Sequence, residues 1–248
     1  MTENQLDFII SFHSKLYRQG PGSDEETLKA IKFTGLSETN ELKILDLGCG
    51  TGAQTNVLAN HLNGNITALD LFQPFLDVLE ERIKLPNIRS FQGSMDDLPF
   101  EKESFDLIWS EGAIYKMGFE NGLNYLQPFL KKNGFIALSE ITWLTEKRPI
   151  EIETFWNNEY AEIDTIQGKI NTINKSGYQL IDHYIISENS WLINYYGPLE
   201  KELATLKEDH SIDKELKEVI QSYQNEIDLY RRLKKHFGYG FYIARKVN

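Results

Sequence analysis

The segment Asp46-Leu47-Gly48-Cys49-Gly50-Thr51-Gly52 constrains this chain more than any other. It follows the short apolar run Ile44–Leu47 and opens a helical pattern over 53–62, so it reads as a strand turning through glycines into a helix. Glycines let a backbone approach a ligand closely, and the helix N-terminus offers free N–H groups to an anion. The same glycines could also serve only a tight strand-to-helix turn. Asp70, 18 residues beyond Gly52, closes a second apolar run, Ile66–Asp70. A carboxylate there is placed to accept both ribose hydroxyls of an adenosine. A surface-turn carboxylate or the N-cap of the next helix is the plainer alternative. Together the two features imply an adenosine-containing cofactor lying across the C-terminal edge of a sheet.

The pattern around this loop supplies the sheet. A helix at 72–84 follows Asp70 and stops before Pro86; 88–93 is a weaker strand, 105–110 a stronger one, and a helix lies within 114–131. Gly134 is expected to end that helix and 135–140 to form a fifth strand. Strands without polar alternation, joined to helices by short connections, signal a parallel sheet buried on both faces. Before it, residues 1–17 read as an amphipathic helix, 18–23 as a turn and 24–34 as a helix capped by Ser23 or Asp24. After it, 149–176 reads as helical, 178–186 as a strand, 192–209 and 213–236 as helices, and 240–246 as a last strand. The predicted fold class is α/β, a doubly wound, mostly parallel sheet, in one unit over 1–248. It divides into N-terminal helices and a lid (1–35), a cofactor-binding core (36–148), and a C-terminal part carrying a helical cap (149–248).

Composition narrows the partners. Among 248 residues, acidic side chains outnumber basic ones 37 to 26, a formal charge of −11, and no basic stripe offsets it, so nucleic acid is not the expected partner. The single cysteine, Cys49, excludes an internal disulfide and a cysteine-based zinc cluster. No signal-peptide pattern and no apolar run of membrane-spanning length is present, so the expectation is a soluble cytoplasmic protein. The histidines, His13, His61, His183, His210 and His236, form no recognisable constellation.

Dinucleotide sites favour Gly-x-Gly-x-x-Gly, whereas position 53 here is Ala. Leu45–Gly52 resembles instead the first motif of the class I, Rossmann-like S-adenosylmethionine-dependent methyltransferases. Asp70 matches the acid of their second motif. Gly93-Ser94-Met95-Asp96-Asp97-Leu98-Pro99-Phe100 resembles a segment of their small-molecule branch, the one that includes quinone C-methyltransferases. Phe105–Ile108 and Leu130–Phe135 match the fourth strand and the turn into the fifth. The resemblance covers roughly 40–140 and is silent on substrate. One departure is Ser94, where relatives usually carry an aspartate that accepts from the adenine amino group; Asp96 is the substitute acid.

The resemblance implies S-adenosylmethionine as cofactor, no metal, and a seven-stranded sheet whose last strand is antiparallel. It places Asp46, Gly48, Cys49, Gly50, Gly52, Asp70, Leu71, Ser94, Met95 and Ser110 at the cofactor. Arg18, in the turn 18–23, could pair with the methionine carboxylate or simply cap a surface turn. Positions just beyond the fourth and fifth strands face the switch-point crevice. There Glu111 is the candidate general base, an ammonium contact, or a helix cap, and Tyr115 and Trp143 are pocket walls, Tyr115 carried with Glu111 as a catalytic candidate. Nine of the twelve tyrosines, with Trp156 and Trp191, lie beyond residue 150, and Trp191, Tyr195 and Tyr196 are candidates to line a flat or cationic small-molecule substrate. Competing functions are a nicotinamide-dependent oxidoreductase, which the glycine spacing disfavours, and a non-catalytic S-adenosylmethionine-binding module.

Overall fold

The computed structural model describes residues 2–39, 41–207 and 212–247. Its sheet is built from β1 (Leu42–Leu47), β2 (Gly64–Asp70), β3 (Ile88–Gln92), β4 (Phe105–Glu111), β5 (Leu130–Trp143), β6 (Asp164–Thr165), β7 (Tyr178–Ile185) and β8 (Phe237–Lys246). The order is β3-β2-β1-β4-β5-β8-β7, with the short β6 beside the end of β5. Strands β1 to β5 pair in parallel, and β8 runs antiparallel to both β5 and β7. This is the doubly wound sheet expected, with β6 as an eighth, two-residue strand.

The runs lack polar alternation because both faces are covered. Ile44, Leu107, Ala137 and Ile243 point into one core, and Leu45, Leu47, Ile108, Ile136 and Tyr242 into the other, as the two-residue strand period requires. The first core is closed by α1 (Glu3–Ser14), α2 (Asp24–Thr34) and α3 (Ala53–His61); α4 (Gln73–Arg82) packs beside β2 and β3, and α5 (Phe119–Leu126) closes the second core. Next come α6 (Ile150–Glu159) and α7 (Ile166–Lys175). The roof over the first core is α8 (Glu188–Trp191), a π-helical turn at Leu192–Tyr196, α9 (Gly197–Lys207) and α10 (Lys214–Leu233).

Several boundaries differ from expectation, each for a local reason. The helix after β4 ends at Leu126 because Pro128 cannot donate to it, so Gly134 lies inside a fourteen-residue β5 and not at a helix end. Asn133 beside it takes a positive φ of 63°, and the β4–β5 register shifts nearby. The single helix expected over 149–176 is two, because Asp164 and Thr165 pair with Thr142 and Trp143 and Thr165 then caps α7. The first helix stops at Ser14 and α10 at Leu233, and the last strand starts at Phe237 instead of Gly240. Residues 208 and 209 of the expected 192–209 helix, and His210, lie outside the described residues.

Candidate functional site

The strand order reverses at β1, between β2 and β4, and the crevice at the carboxyl ends of these strands is where an open α/β sheet takes a ligand. The glycine loop lies there. Gly48, Gly50 and Gly52 have φ of 68°, 54° and 90°. At Gly48 a Cβ would overlap the Ala113 methyl group, and at Gly50 it would overlap the Gln19 side-chain oxygen, so position and conformation both demand glycine. Gly48 and Cys49 donate their N–H groups to the Leu69 carbonyl at 2.8 and 3.0 Å, which bends the loop back over β2. Gly52 is the N-cap of α3. Asp70 accepts from Gly50 N at 2.9 Å and from Phe72 N at 3.0 Å, bridging the loop to the start of α4. Burial pushes its carboxyl above the usual range, opposed by these N–H groups.

Asp46, Cys49 and Ser110 have at most 1% of their surface exposed, so their side chains support the loop and do not face the crevice. Asp46 accepts from Thr55 at 2.6 Å and Gln54 at 3.3 Å, which pins α3 to β1. Burial raises its pKa to about 7 against those two hydrogen bonds, with Glu111 and Asp70 adding to the rise. Burial also pushes the Cys49 thiol up, the state of an inert apolar filler. Ser110 donates to the Leu47 carbonyl at 3.2 Å, stitching β4 to β1. Leu71 is 55% exposed beside Asp70, Met95 lies against Gly48, and Ser94 is hydrogen-bonded to Asp96.

Glu111 and Arg18 form one buried unit. Arg18 donates to Glu111 Oε2 at 3.0 Å and to Asp24 at 2.8 Å, while Thr27 at 2.6 Å and Trp109 Nε1 at 3.0 Å both reach Glu111 Oε1. Burial opposes the Arg18 charge, but Glu111 and Asp24 outweigh it and raise the guanidinium pKa. These three donors fix the orientation of the Glu111 carboxylate, with two on Oε1 and one on Oε2. The turn 18–23 is tied down on both sides. Gln19 Oε1 accepts from Thr51 N at 2.9 Å over the glycine loop, while Gly22 bonds Ser190 and Asn194 in the roof.

Under the roof, Trp191 stacks on Tyr230 with ring centroids 4.4 Å apart and meets Tyr239 edge-on at 4.9 Å. Tyr239 in turn lies against Gly112, just past β4. Tyr195 and Tyr196 are buried, and Tyr196 donates to Glu226 at 2.9 Å. Tyr115 is 36% exposed and packs edge-on against Tyr160. Trp143 does not join this group. It packs in the core, 6% exposed, beneath the Arg148 guanidinium at 4.3 Å, because β5 runs past the crevice before it ends.

Residues 44–134 match the model of a methyltransferase domain. That segment, 91 of the 248 residues, is where the motifs resembling the class I S-adenosylmethionine-dependent methyltransferases lie. A probable phthiotriol/phenolphthiotriol dimycocerosates methyltransferase 2 of Mycobacterium ulcerans is 32% identical over 106 residues, 42% of this chain and 41% of that one. A chloroplastic 2-methyl-6-phytyl-1,4-hydroquinone methyltransferase 1 of Oryza sativa is 31% identical over 99 residues, 39% of this chain and 30% of that one. The chain thus spans about two fifths or less of the length of these relatives. In structure it is similar to a methyltransferase from Thiobacillus denitrificans solved with S-adenosylhomocysteine, with TM-score 0.82 and 18% identity, covering 97% of this chain and 98% of that one. A second structural neighbour, from Geobacter sulfurreducens, was likewise solved with S-adenosylhomocysteine, at TM-score 0.80 and 16% identity, covering 96% of this chain and 97% of that one.

The chain also uses residues that sequence reasoning passed over. Gln19 and Thr27 hold the N-terminal segment onto the loop and onto Glu111. Arg82 donates to Thr51 Oγ1 at 2.9 Å and the Leu16 carbonyl at 3.1 Å. A buried pair, Glu140 with Lys169 at 3.4 Å, flanks Tyr160. None lies in a local motif; each partner is distant in sequence, so only an inward-facing polar residue in an apolar stripe, such as Thr27, carried any signal.

Proposed function

We propose that this chain transfers a methyl group from S-adenosylmethionine to a small-molecule acceptor held under the α8–α10 roof. The observation that carries the reading is the loop Gly48–Gly52, with three left-handed glycines, bound to Asp70 and opening toward an aromatic recess. The residues present fit the cofactor. The glycines leave room for a close approach, Asp70 retains acceptor lone pairs toward the crevice, and exposed Leu71 offers an apolar face for a flat ring. Asp70 would hold the ribose, Leu71 and Met95 the adenine, and the Gly48–Gly52 backbone with Arg18 and Glu111 the amino-acid end.

When bound, the cofactor supplies a sulfonium methyl that an acceptor lone pair takes in line, the carbon–sulfur bond breaking with its electrons left on sulfur. The chain's task is therefore position and dryness. The Gln19–Thr51 bonds close the N-terminal segment over the loop, and the tyrosines past β4 and in the roof exclude water. The two curated relatives are named for different acceptors, a phthiotriol and a hydroquinone. What supports a small acceptor here is the aromatic cluster of Trp191, Tyr230 and Tyr239 that roofs the crevice beside Gly112.

Titration with S-adenosylhomocysteine tests the first half of the reading: saturable binding is expected, and its absence overturns it. For the second half, purified protein is incubated with methyl-labelled S-adenosylmethionine and a cell extract split by ultrafiltration. Label in the small-molecule fraction supports the reading; label confined to protein or nucleic acid sinks it.

A further inference from the structure

Besides Asp46, which Thr55 and Gln54 hold, four buried or half-buried carboxylates stand around this crevice, and they are treated differently. Glu111 has Arg18, Glu140 has Lys169, and Asp70 has two backbone N–H groups. Glu226 on α10 has no cationic partner among the described residues. Its hydrogen bond is the one from Tyr196 to Oε1, leaving Oε2 unused. Burial pushes its carboxyl up, the Tyr196 bond opposes that, and Glu159 adds a like charge. A desolvated carboxylate without a counter-charge costs free energy unless something supplies the charge.

Its surroundings are aromatic and uniformly non-basic. The groups acting on the Tyr239 hydroxyl are Tyr115, Glu140 and Glu226, and those acting on Tyr223 are Glu226 and Tyr115. Tyr195 feels Glu226, Tyr223, Tyr239 and Tyr115. Burial pushes all three phenols up, yet Glu226, Tyr223 and Tyr239 each keep some accessible surface, which places that surface in a recess. His13, bonded to Tyr223 at 2.8 Å, brings no charge, because burial lowers its pKa to about 4. Lys116 lies over Tyr115 but is exposed and acts on neither Tyr223 nor Tyr239. The Trp191 indole N–H, buried against Tyr239, has no acceptor.

We infer that the recess formed by Glu226, Tyr115, Tyr195, Tyr223 and Tyr239 binds the cationic ammonium group of the methyl acceptor, with Glu226 as counter-charge and the tyrosine rings as its walls. This rests on the methyl-transfer reading above and names the chemical class of the acceptor. A quaternary ammonium supplies the missing charge with no N–H groups to satisfy, and phenol rings attract it electrostatically. An anionic acceptor would meet Glu226 and Glu140 and be repelled. Tyr239 lies against Gly112, next to the loop after β4, so the ammonium sits within one small molecule's length of the crevice.

The test is calorimetric titration of the full chain, with and without S-adenosylhomocysteine, using choline, tetramethylammonium and the neutral choline isostere 3,3-dimethylbutan-1-ol. We expect both cations to bind and choline to bind at least tenfold more tightly than its isostere. Glu226→Gln should erase that preference while leaving S-adenosylhomocysteine affinity unchanged. Equal affinity for choline and the isostere, no binding of either cation, or a preference that survives in Glu226→Gln overturns the inference. The wild-type comparison decides even if the variant fails to fold. Failure of S-adenosylhomocysteine to bind removes the methyl-transfer reading instead, and the cation titration of the free protein still decides this one.

Discussion

The edge of the sheet around the glycine loop and the helical roof above it handle buried polarity in opposite ways. At the edge every buried charge is matched: Glu111 by Arg18, Thr27 and Trp109, Glu140 by Lys169, Asp46 by Thr55 and Gln54. In the roof, Glu226 has one phenol hydrogen bond and the Trp191 indole N–H has no partner, and on the helices α6 and α1 the Trp156 indole N–H and His13 Nδ1 have none either. The contrast teaches which part of the molecule is finished on its own. The edge is a preorganised frame whose polar groups satisfy one another, as a site holding one fixed cofactor requires. The roof keeps unmet valences, as a surface awaiting a ligand does.

The largest expected effect is at the matched edge. Lys169→Met should cost about 3–5 kcal/mol, because it strands Glu140, 1% exposed, without its counter-charge. Adding Glu140→Gln should recover much of that loss in urea unfolding; if the double variant is no more stable than the single one, the pair is not what matters there.

A pH series reads Asp46. Its folded pKa of about 7 lies above the ordinary 3.8, so between about pH 4 and 7 the fold keeps a proton that the unfolded chain has released. Stability therefore falls as pH rises through that window, by at most roughly 4 kcal/mol. Buried neutral His13, with a pKa lowered to about 4, pulls the other way between about 4 and 6.5. The difference between wild type and Asp46→Asn isolates the carboxylate. Asp46→Asn should gain stability relative to wild type as pH rises from 5 to 8, and an unchanged difference over that range would refute the assignment.

Asp70→Ala should weaken S-adenosylhomocysteine binding by ~1.5–3 kcal/mol, the usual value of hydrogen bonds to a charged group. Unaltered affinity in calorimetry would take Asp70 out of the cofactor site. The smallest effect is expected in the roof. Glu226→Gln should leave thermal stability unchanged or raise it by about 1 kcal/mol at pH 8, the reverse of a substitution at Glu140, since no cation is orphaned. A marked destabilisation would mean that Glu226 is structurally matched after all and would erase the contrast.

The glycine loop and Asp70 were legible because their chemistry is local: a strand, three glycines and a helix start sit within a dozen residues, and an acid ends the next strand. Arg18 and Glu111 were legible as candidates but not as a pair, since 93 residues separate them. Asp46, Cys49 and Ser110 looked like contacts because motif membership does not reveal which way a side chain points; strand alternation turned Asp46 and Ser110 inward, and the bend of the loop over β2 buried Cys49. The end of the helix after β4 was misplaced because Gly134 outweighed Pro128 in the local reading. The break in 149–176 was invisible because β6 exists only by pairing with β5.

By itself the sequence determined the doubly wound sheet, the glycine loop with its following acid, and the match to a methyltransferase domain over 44–134, since each rests on periodicity or on spacing within one strand–turn–helix unit. Only the tertiary structure decided which carboxylates are neutralised and which aromatics share a recess with Glu226. Those facts depend on distance and dielectric between segments far apart in the chain, and nothing in the local order of residues encodes either.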